Sequence, residues 1–452
     1  MSLYSDLLAE RERRGRPVRA AVIGAGKFGG GLVVQLAQSP GMEAAVVADL
    51  DPERVRRVLA SCGQGQRAVE ADSPSAVADA VRSGRCAVTG DPLLAAACEE
   101  VDVVVEATGL PGAGARHALT AIEAGRHVVM VNVEADVTVG ALLRRRADAA
   151  GVVYTLVDGD QPGCIMEMVE WARTLGFEIV AAGRGTVRYA EDEAGTPDSV
   201  QDRYGFDDDL MERRTINTKM FNSFRDGTKA QVEMTALANM TGLPPDVRGM
   251  HEPSVNVEEI PQRLSLREEG GLLGRSGVVE LANSVAADGR TMLPDPLGTG
   301  VFCVIRAEHP FIREDLAGYH CHAGGDGRNF LLWRAYHLVA VEAPLSIARA
   351  ALYQRPTGAP RQRPVADTVT VAKRDLRAGE ILDGGGGYTV NGVIETAEAS
   401  RSEGLLPLGL SGGARLKTAV SAGEAVRYAD VALEEGYLLG LRREQDRILI
   451  DS

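Results

Sequence analysis

Aromatic residues make up only 4% of this 452-residue chain, and basic residues are outnumbered. There are 49 Lys and Arg against 63 Asp and Glu, a net charge of −14. Without a basic field, a general nucleic-acid binder is not expected. No apolar run is long enough to cross a bilayer, and the opening MSLYSDLLAERERRGRPVR has no signal-peptide core. The reading is therefore a cytoplasmic protein with no membrane partner. Cysteines are few and scattered, at Cys62, Cys86, Cys98, Cys164, Cys303 and Cys321. They make neither a disulfide framework nor a CxxC metal knuckle, and most read as small buried hydrophobes. No P-loop and no Ser/His/Asp or Cys/His hydrolase signature is present. What is abundant is glycine, at 52 residues, in a chain that is 45% hydrophobic. That composition suits a loop-rich α/β protein of two or three domains.

The chain divides into parts. An arm, 1–17, has helical composition. From 18 to 158, short apolar runs alternate with helical stretches: Val18–Ile23, Ala44–Ala48, Val101–Glu106, His127–Val133 and Val152–Val157. This is the pattern of a doubly wound parallel Rossmann sheet covered on both faces. An α+β middle domain, 159–353, opens with a helix over Ile165–Leu175. It continues with strand-like pieces at Glu178–Ala182 and Thr215–Phe224, the turn Asp226-Gly227, and a helix over Lys229–Met240. The acidic run Asp207-Asp208-Asp209 reads as a solvated loop. Residues 354–365, with three prolines, read as a linker. A small β domain, 366–452, follows. It carries a short internal echo, Ala378-Gly379-Glu380 and Ala422-Gly423-Glu424.

Gly24-x-Gly26-x-x-Gly29 directly follows the strand VRAAVI and opens a helical stretch. In that setting the motif is a dinucleotide site. Gly24 allows the tight turn, Gly26 the backbone approach to a pyrophosphate, and Gly29 close helix–strand packing. Ala25, Lys27 and Phe28 complete the loop, whose N–H groups face the phosphates. Asp49 ends the second strand, 20 residues after Gly29. A carboxylate there accepts from ribose hydroxyls and repels a 2′-phosphate, so NAD is expected, with NADP as the alternative. Arg54 and Arg57 are the residues that would serve NADP. The strand ends Ala107-Thr108-Gly109 and Asn132 with Glu134 are expected at the nicotinamide half.

With EATG and VVMVNVEADVTVG, the Rossmann part resembles the homoserine dehydrogenase superfamily. The likeness continues through GDQPG at 159–163, DGTKAQVEMTALANMTGL at 226–243, GRSGVVE at 274–280 and AYHLVAVEAPLSIAR at 335–349. The tail VAKRDLRAGEILD at 371–383 resembles a SAF-type β-clip domain. Together they resemble the homoserine dehydrogenase-like group with a SAF tail that includes the DXR-like reductoisomerases. Those enzymes convert 1-deoxy-D-xylulose 5-phosphate into 2-C-methyl-D-erythritol 4-phosphate with NADPH. The resemblance implies an oxidoreductase acting on a CH–OH group and a homodimer or higher homo-oligomer. Two departures stand out. Asn132 is followed by Val133 where homoserine dehydrogenases have lysine, and Gly183-Arg184-Gly185 stands where the reductoisomerases have G-K-G.

Hydride transfer needs an acid/base and a hold on the rest of the substrate. Lys219 and Lys229 are candidate bases. Arg184, between two glycines, suits a carboxylate or phosphate. Asn239 could orient a hydroxyl, but Glu233, six residues away, is not on its face. His337 in the AYHL motif is a further candidate. His320 and His322 would share a strand face, yet a polar loop is the preferred reading and no metal is expected. The substrate is expected between Thr108 and Asn132 on one side and the middle domain on the other, where closure excludes water. The reading is an oxidoreductase for a small polar hydroxy- or keto-compound, phosphorylated or not. The alternative from another class is a nucleotide-binding scaffold without catalysis.

Overall fold

The computed structural model describes residues 4–207 and 217–451. They fall into two compact units. One holds the chain through Gly163 together with Leu338–Gln362 and the segment from Leu441. The other holds Cys164–His337 and Arg363–Gly440.

The first unit is built on a seven-stranded sheet in the order β3-β4-β2-β1-β5-β6-β7. The strands are β1 Val18–Ile23, β2 Met42–Ala48, β3 Ala68–Glu70, β4 Cys86–Thr89, β5 Val103–Glu106, β6 His127–Met130 and β7 Tyr154–Leu156. Every pairing is parallel. Val and Ala fill the central strands without polar alternation, as a sheet buried on both faces requires. The alternating apolar pattern misses β3 and β4, which are three and four residues long and too short to show a period. The run His127–Val133 breaks at Met130. Asn132 leaves the strand and caps the helix Val133–Ala150, its Oδ1 accepting from Ala135 N at 3.1 Å.

Residues 354–365 do not behave as a free linker. Leu156 N donates to Gly358 O at 2.7 Å, and Thr357, buried, donates from its hydroxyl to Asp158 at 2.8 Å. The proline-rich chain extends the edge of β7 instead of spanning open solvent. Further on, Gln445 takes the Leu142 N–H at 3.0 Å, so the last helix, Tyr437–Asp451, is tied at that point to the helix Val133–Ala150.

The second unit contains a five-stranded sheet, β11-β12-β10-β8-β9. Its strands are β8 Glu178–Thr186, β9 Val278–Asn283, β10 Val301–Arg306, β11 Ala323–Gly324 and β12 Asn329–Arg334. β8 and β9 are parallel, and the other pairs are antiparallel. The strand expected over Thr215–Phe224 is instead a helix, Thr218–Arg225, capped by Asn217; positions 215 and 216 lie outside the described residues. Asp208 and Asp209 of the acidic run also lie outside them. The helix Thr228–Thr241 is buried along nearly its whole length, which leaves it little amphipathic signal.

Residues from Arg363 to Gly440 share this unit with the middle domain. The hairpin β13 Ala366–Ala372 and β14 Val390–Thr396 packs on the helix Thr228–Thr241. Polar bonds reinforce the packing: the Thr368 hydroxyl donates to that of Thr235 at 2.7 Å, and Gly392 N donates to Thr228 at 3.1 Å. The turn echo is structural. Glu380 accepts from Arg377 N at 3.0 Å and Glu424 from Ser421 N at 3.3 Å, each around a left-handed glycine, Gly379 or Gly423.

Candidate active site

In the first unit the glycine loop has the form a dinucleotide needs. Gly24 has φ 95°, and a Cβ on it would lie 2.9 Å from Ala107 O. A Cβ on Gly29 would lie 1.7 Å from Gly24 O, so only glycine lets the helix Lys27–Leu36 start here. Gly26, the N-cap, is exposed, has no side-chain cap, and would meet nothing within 4 Å. The helix therefore opens toward space with no side-chain cap at its start, a fit for a pyrophosphate. Ala25 is buried, Phe28 is half-buried and Lys27 is exposed.

Asp49 faces this loop. Its Oδ2 accepts from Ala25 N at 2.7 Å, and its Oδ1 accepts from Asp51 N at 2.9 Å and pairs with Arg54 at 3.4 Å. Arg57 pairs with Asp51 at 3.3 Å. Both arginines are turned toward carboxylates.

At the ends of β5 and β6 the polar side chains point inward. The Thr108 hydroxyl donates to Glu106 Oε1 at 2.5 Å, and Asn132 Nδ2 donates to Leu110 O at 3.0 Å. Their side chains brace the loop: Ala107, half-buried, donates its N–H to Ile23 O at 2.9 Å, and Gly109 stays exposed. Glu134 sits half-buried in the first turn of the helix Val133–Ala150, where a negative charge is favoured.

In the second unit the expected catalytic set is dispersed. Arg184 and Glu233 are both buried, 7% and 1% exposed, and form an ion pair. Arg184 also donates from Nε to Gly185 O at 3.0 Å. The arginine expected to face an anionic substrate thus faces a carboxylate of its own chain, one that spacing along the helix set aside. Asn239 is buried too: its Oδ1 accepts from Val365 N at 2.9 Å and Ala366 N at 3.0 Å, and its Nδ2 donates to Ala366 O. It clamps the start of β13 instead of orienting a hydroxyl. Lys219 donates to the carbonyl of Asp383. Lys229 stands half-buried in the first turn of its helix. His337 is half-buried, its Nδ1 paired with Thr299 O at 3.1 Å. His320 has φ 62°, so it does not share a strand face with His322. Among the described residues no group of three His, Cys, Asp or Glu could hold a metal.

The structure brings forward a cluster that spacing did not reveal. His251 donates from Nδ1 to the fully buried Glu280 Oε1 at 2.6 Å, and Asp246 lies 3.6 Å from its Nε2. The hydrogen bond to Glu280 raises the His251 pKa above the ordinary imidazole value. Met250 and Glu252, flanking it, have φ 66° and 46°. Backbone strain of this kind gathers at functional sites. Here Glu280 offsets it by accepting from the N–H groups of His251, Glu252 and Leu281. Glu252 in turn receives Thr186 at 2.7 Å and pairs with Arg188. The available signal was a glutamate inside the apolar strand VVELAN.

Comparison with known proteins fits this picture. Residues 24–156 match the family model for the NAD-binding domain of homoserine dehydrogenase, and residues 159–343 match that for the catalytic domain of oxidoreductase DRL. No curated protein matches the chain. Among solved structures, a probable dehydrogenase from Thermotoga maritima is 12% identical over 75% of this chain and 90% of its own, with TM-score 0.39. GenD2 from gentamicin A biosynthesis, in complex with NAD, is 12% identical over 75% and 88%, with TM-score 0.36. An oxidoreductase from Agrobacterium radiobacter, in complex with NAD+, L-tartaric acid and magnesium, is 17% identical over 38% of this chain and 44% of its own, with TM-score 0.27. The glycine loop, Asp49 and the two family matches define an NAD(P)-dependent oxidoreductase. It joins an NAD-binding domain similar to that of homoserine dehydrogenase to a catalytic domain similar to that of oxidoreductase DRL. Among the described residues no helix is long and apolar enough to cross a membrane.

Proposed function

We propose that the chain transfers hydride between NAD(H) and a small polar hydroxy- or keto-compound at a CH–OH carbon. The carrying observation is the open, uncapped loop at Gly26 with Asp49 bonded beside it, in a chain whose next segment matches an oxidoreductase catalytic domain. When bound, the nicotinamide accepts or supplies the hydride. Gly24–Gly29 hold the pyrophosphate through backbone N–H groups, and Asp49 accepts from the ribose hydroxyls. The backbone of Ala107–Gly109 and the helix start at Asn132 and Glu134 receive the nicotinamide end. His251, oriented by Glu280, is our first candidate for proton exchange, and Lys229 the second. An imidazole suits a step in which a proton is lost and regained.

A second reading, reductoisomerisation of a ketose phosphate, comes from the resemblance of the sequence to the DXR-like group. Product analysis separates the two, since isomerisation changes the carbon skeleton and simple reduction does not. The SAF-like character of the tail and assembly as a homodimer belong to the same proposal.

The experiment is a titration with NADH and NADPH followed by turnover against hydroxy- and keto-compounds with and without phosphate. NADH should bind more tightly, and Asp49→Ser should narrow the difference. Equal or tighter NADPH binding by the unmodified protein would refute the role given to Asp49.

A further inference from the structure

The end of β5 holds more polar machinery than a phosphate cradle requires. Glu106 closes the apolar strand VVVE and is wholly buried. Its Oε1 accepts from the Thr108 hydroxyl at 2.5 Å and from Thr108 N at 3.3 Å. The same oxygen pairs with Nδ1 of His117, also buried, at 3.1 Å. Its Oε2 is buried without a hydrogen-bond partner. A buried carboxylate with one oxygen unmatched is costly, so its retention points to what Oε1 does.

Oε1 orders the exposed loop that follows. The Thr108 hydroxyl, donating to Glu106, accepts from Leu110 N at 3.4 Å and Asn132 Nδ2 at 3.5 Å. Asn132 carries the bracing on to the helix Val133–Ala150, which it caps. Gly114 closes the arrangement: a Cβ there would lie 2.5 Å from Asn132 Nδ2 and 2.9 Å from Glu106 Oε2. On its other side the loop abuts Gly24 through the Ala107 carbonyl. Gly109 and Leu110 stay exposed while the side chain of Glu106 and its partners are turned inward.

We propose that Glu106, together with His117, is a positioning residue that fixes the 107–110 backbone to receive the nicotinamide end of the dinucleotide. It takes no part in holding the pyrophosphate. A loop ordered before binding does not lose conformational freedom on binding, and affinity rises accordingly. The inference rests on the NAD reading above.

The test uses the full chain and two ligands, NADH and ADP-ribose, the second lacking nicotinamide. Glu106→Leu removes the acceptor, Glu106→Gln keeps an oxygen for Thr108, and Gly114→Ala drives a methyl group between Asn132 and Glu106 while keeping every polar group. Glu106→Leu and Gly114→Ala should weaken NADH by about tenfold, the equivalent of one net hydrogen bond, and leave ADP-ribose unchanged. Glu106→Gln should keep most of the NADH affinity. Equal losses for both ligands, or undiminished NADH binding by Gly114→Ala, would overturn the proposal. Failure of the unmodified protein to bind either ligand would overturn the cofactor reading and this inference with it.

Discussion

Replacing Arg184 by methionine keeps a long apolar stem and removes the cation beside a carboxylate that is only 1% exposed. Breaking such a buried pair from one side costs about 3–5 kcal/mol, because the remaining charge stays desolvated. The bond from Arg184 Nε to Gly185 O is lost as well. Replacing both partners, Arg184→Met with Glu233→Leu, should restore most of the stability, since an apolar pair of similar volume carries no buried charge. Both tryptophans of the chain, Trp171 and Trp333, lie in the same unit as this pair, so their fluorescence during urea unfolding reports on it. The single variant should unfold at markedly lower urea and the double variant near the parent. A single variant within about 1 kcal/mol of the parent would refute the reasoning. Arg184 would then not be neutralising Glu233 in solution and would be open to an anionic substrate, as its place between two glycines suggests.

Asp136 is fully buried, and burial raises its pKa to about 7 from 3.8. Its unfolded form ionises first, so stability falls as pH rises from about 4 to about 7, by roughly 4 kcal/mol in total, and is level above that. Asp136→Asn keeps an oxygen to accept from Tyr154 and should remove that loss; a stability difference independent of pH would contradict the assignment. Limited digestion with an unspecific protease should cut at the exposed 361–363 and spare 356–360, which Thr155, Leu156 and Asp158 hold. Cutting first at 356–360 would show that those bonds do not persist in solution.

The parallel sheet and its glycine loop were legible because their signals are local. A run of valine and alanine, then Gly24, Gly26 and Gly29, then Asp49, all stand within one βαβ unit. The substrate-side residues were not legible for the opposite reason. Glu233 meets Arg184 across 49 residues and Glu280 meets His251 across 29, and no periodicity encodes such pairs. Asn239 carried the right chemistry for a hydroxyl, but its partners, Val365 and Ala366 at the start of β13, stand 126 and 127 residues away. A more useful signal was present at Glu106, Glu233 and Glu280: a carboxylate inside an apolar element. Buried carboxylates are rare without partners, so each marks a contact that must be supplied from elsewhere in the chain. The strand wrongly expected over Thr215–Phe224 shows the limit of composition, since the capping Asn217 outweighs a short apolar-polar alternation.

NADH fluorescence on titration of the purified chain, with Gly29→Val measured in parallel, tests the central claim. A side chain at position 29 would drive into the Gly24 carbonyl, so the loop that meets the pyrophosphate could not form. The account predicts saturable binding of NADH to the unmodified chain, displaced by ADP-ribose, and loss of that binding in Gly29→Val. No saturable binding, or binding undiminished by Gly29→Val, would contradict it.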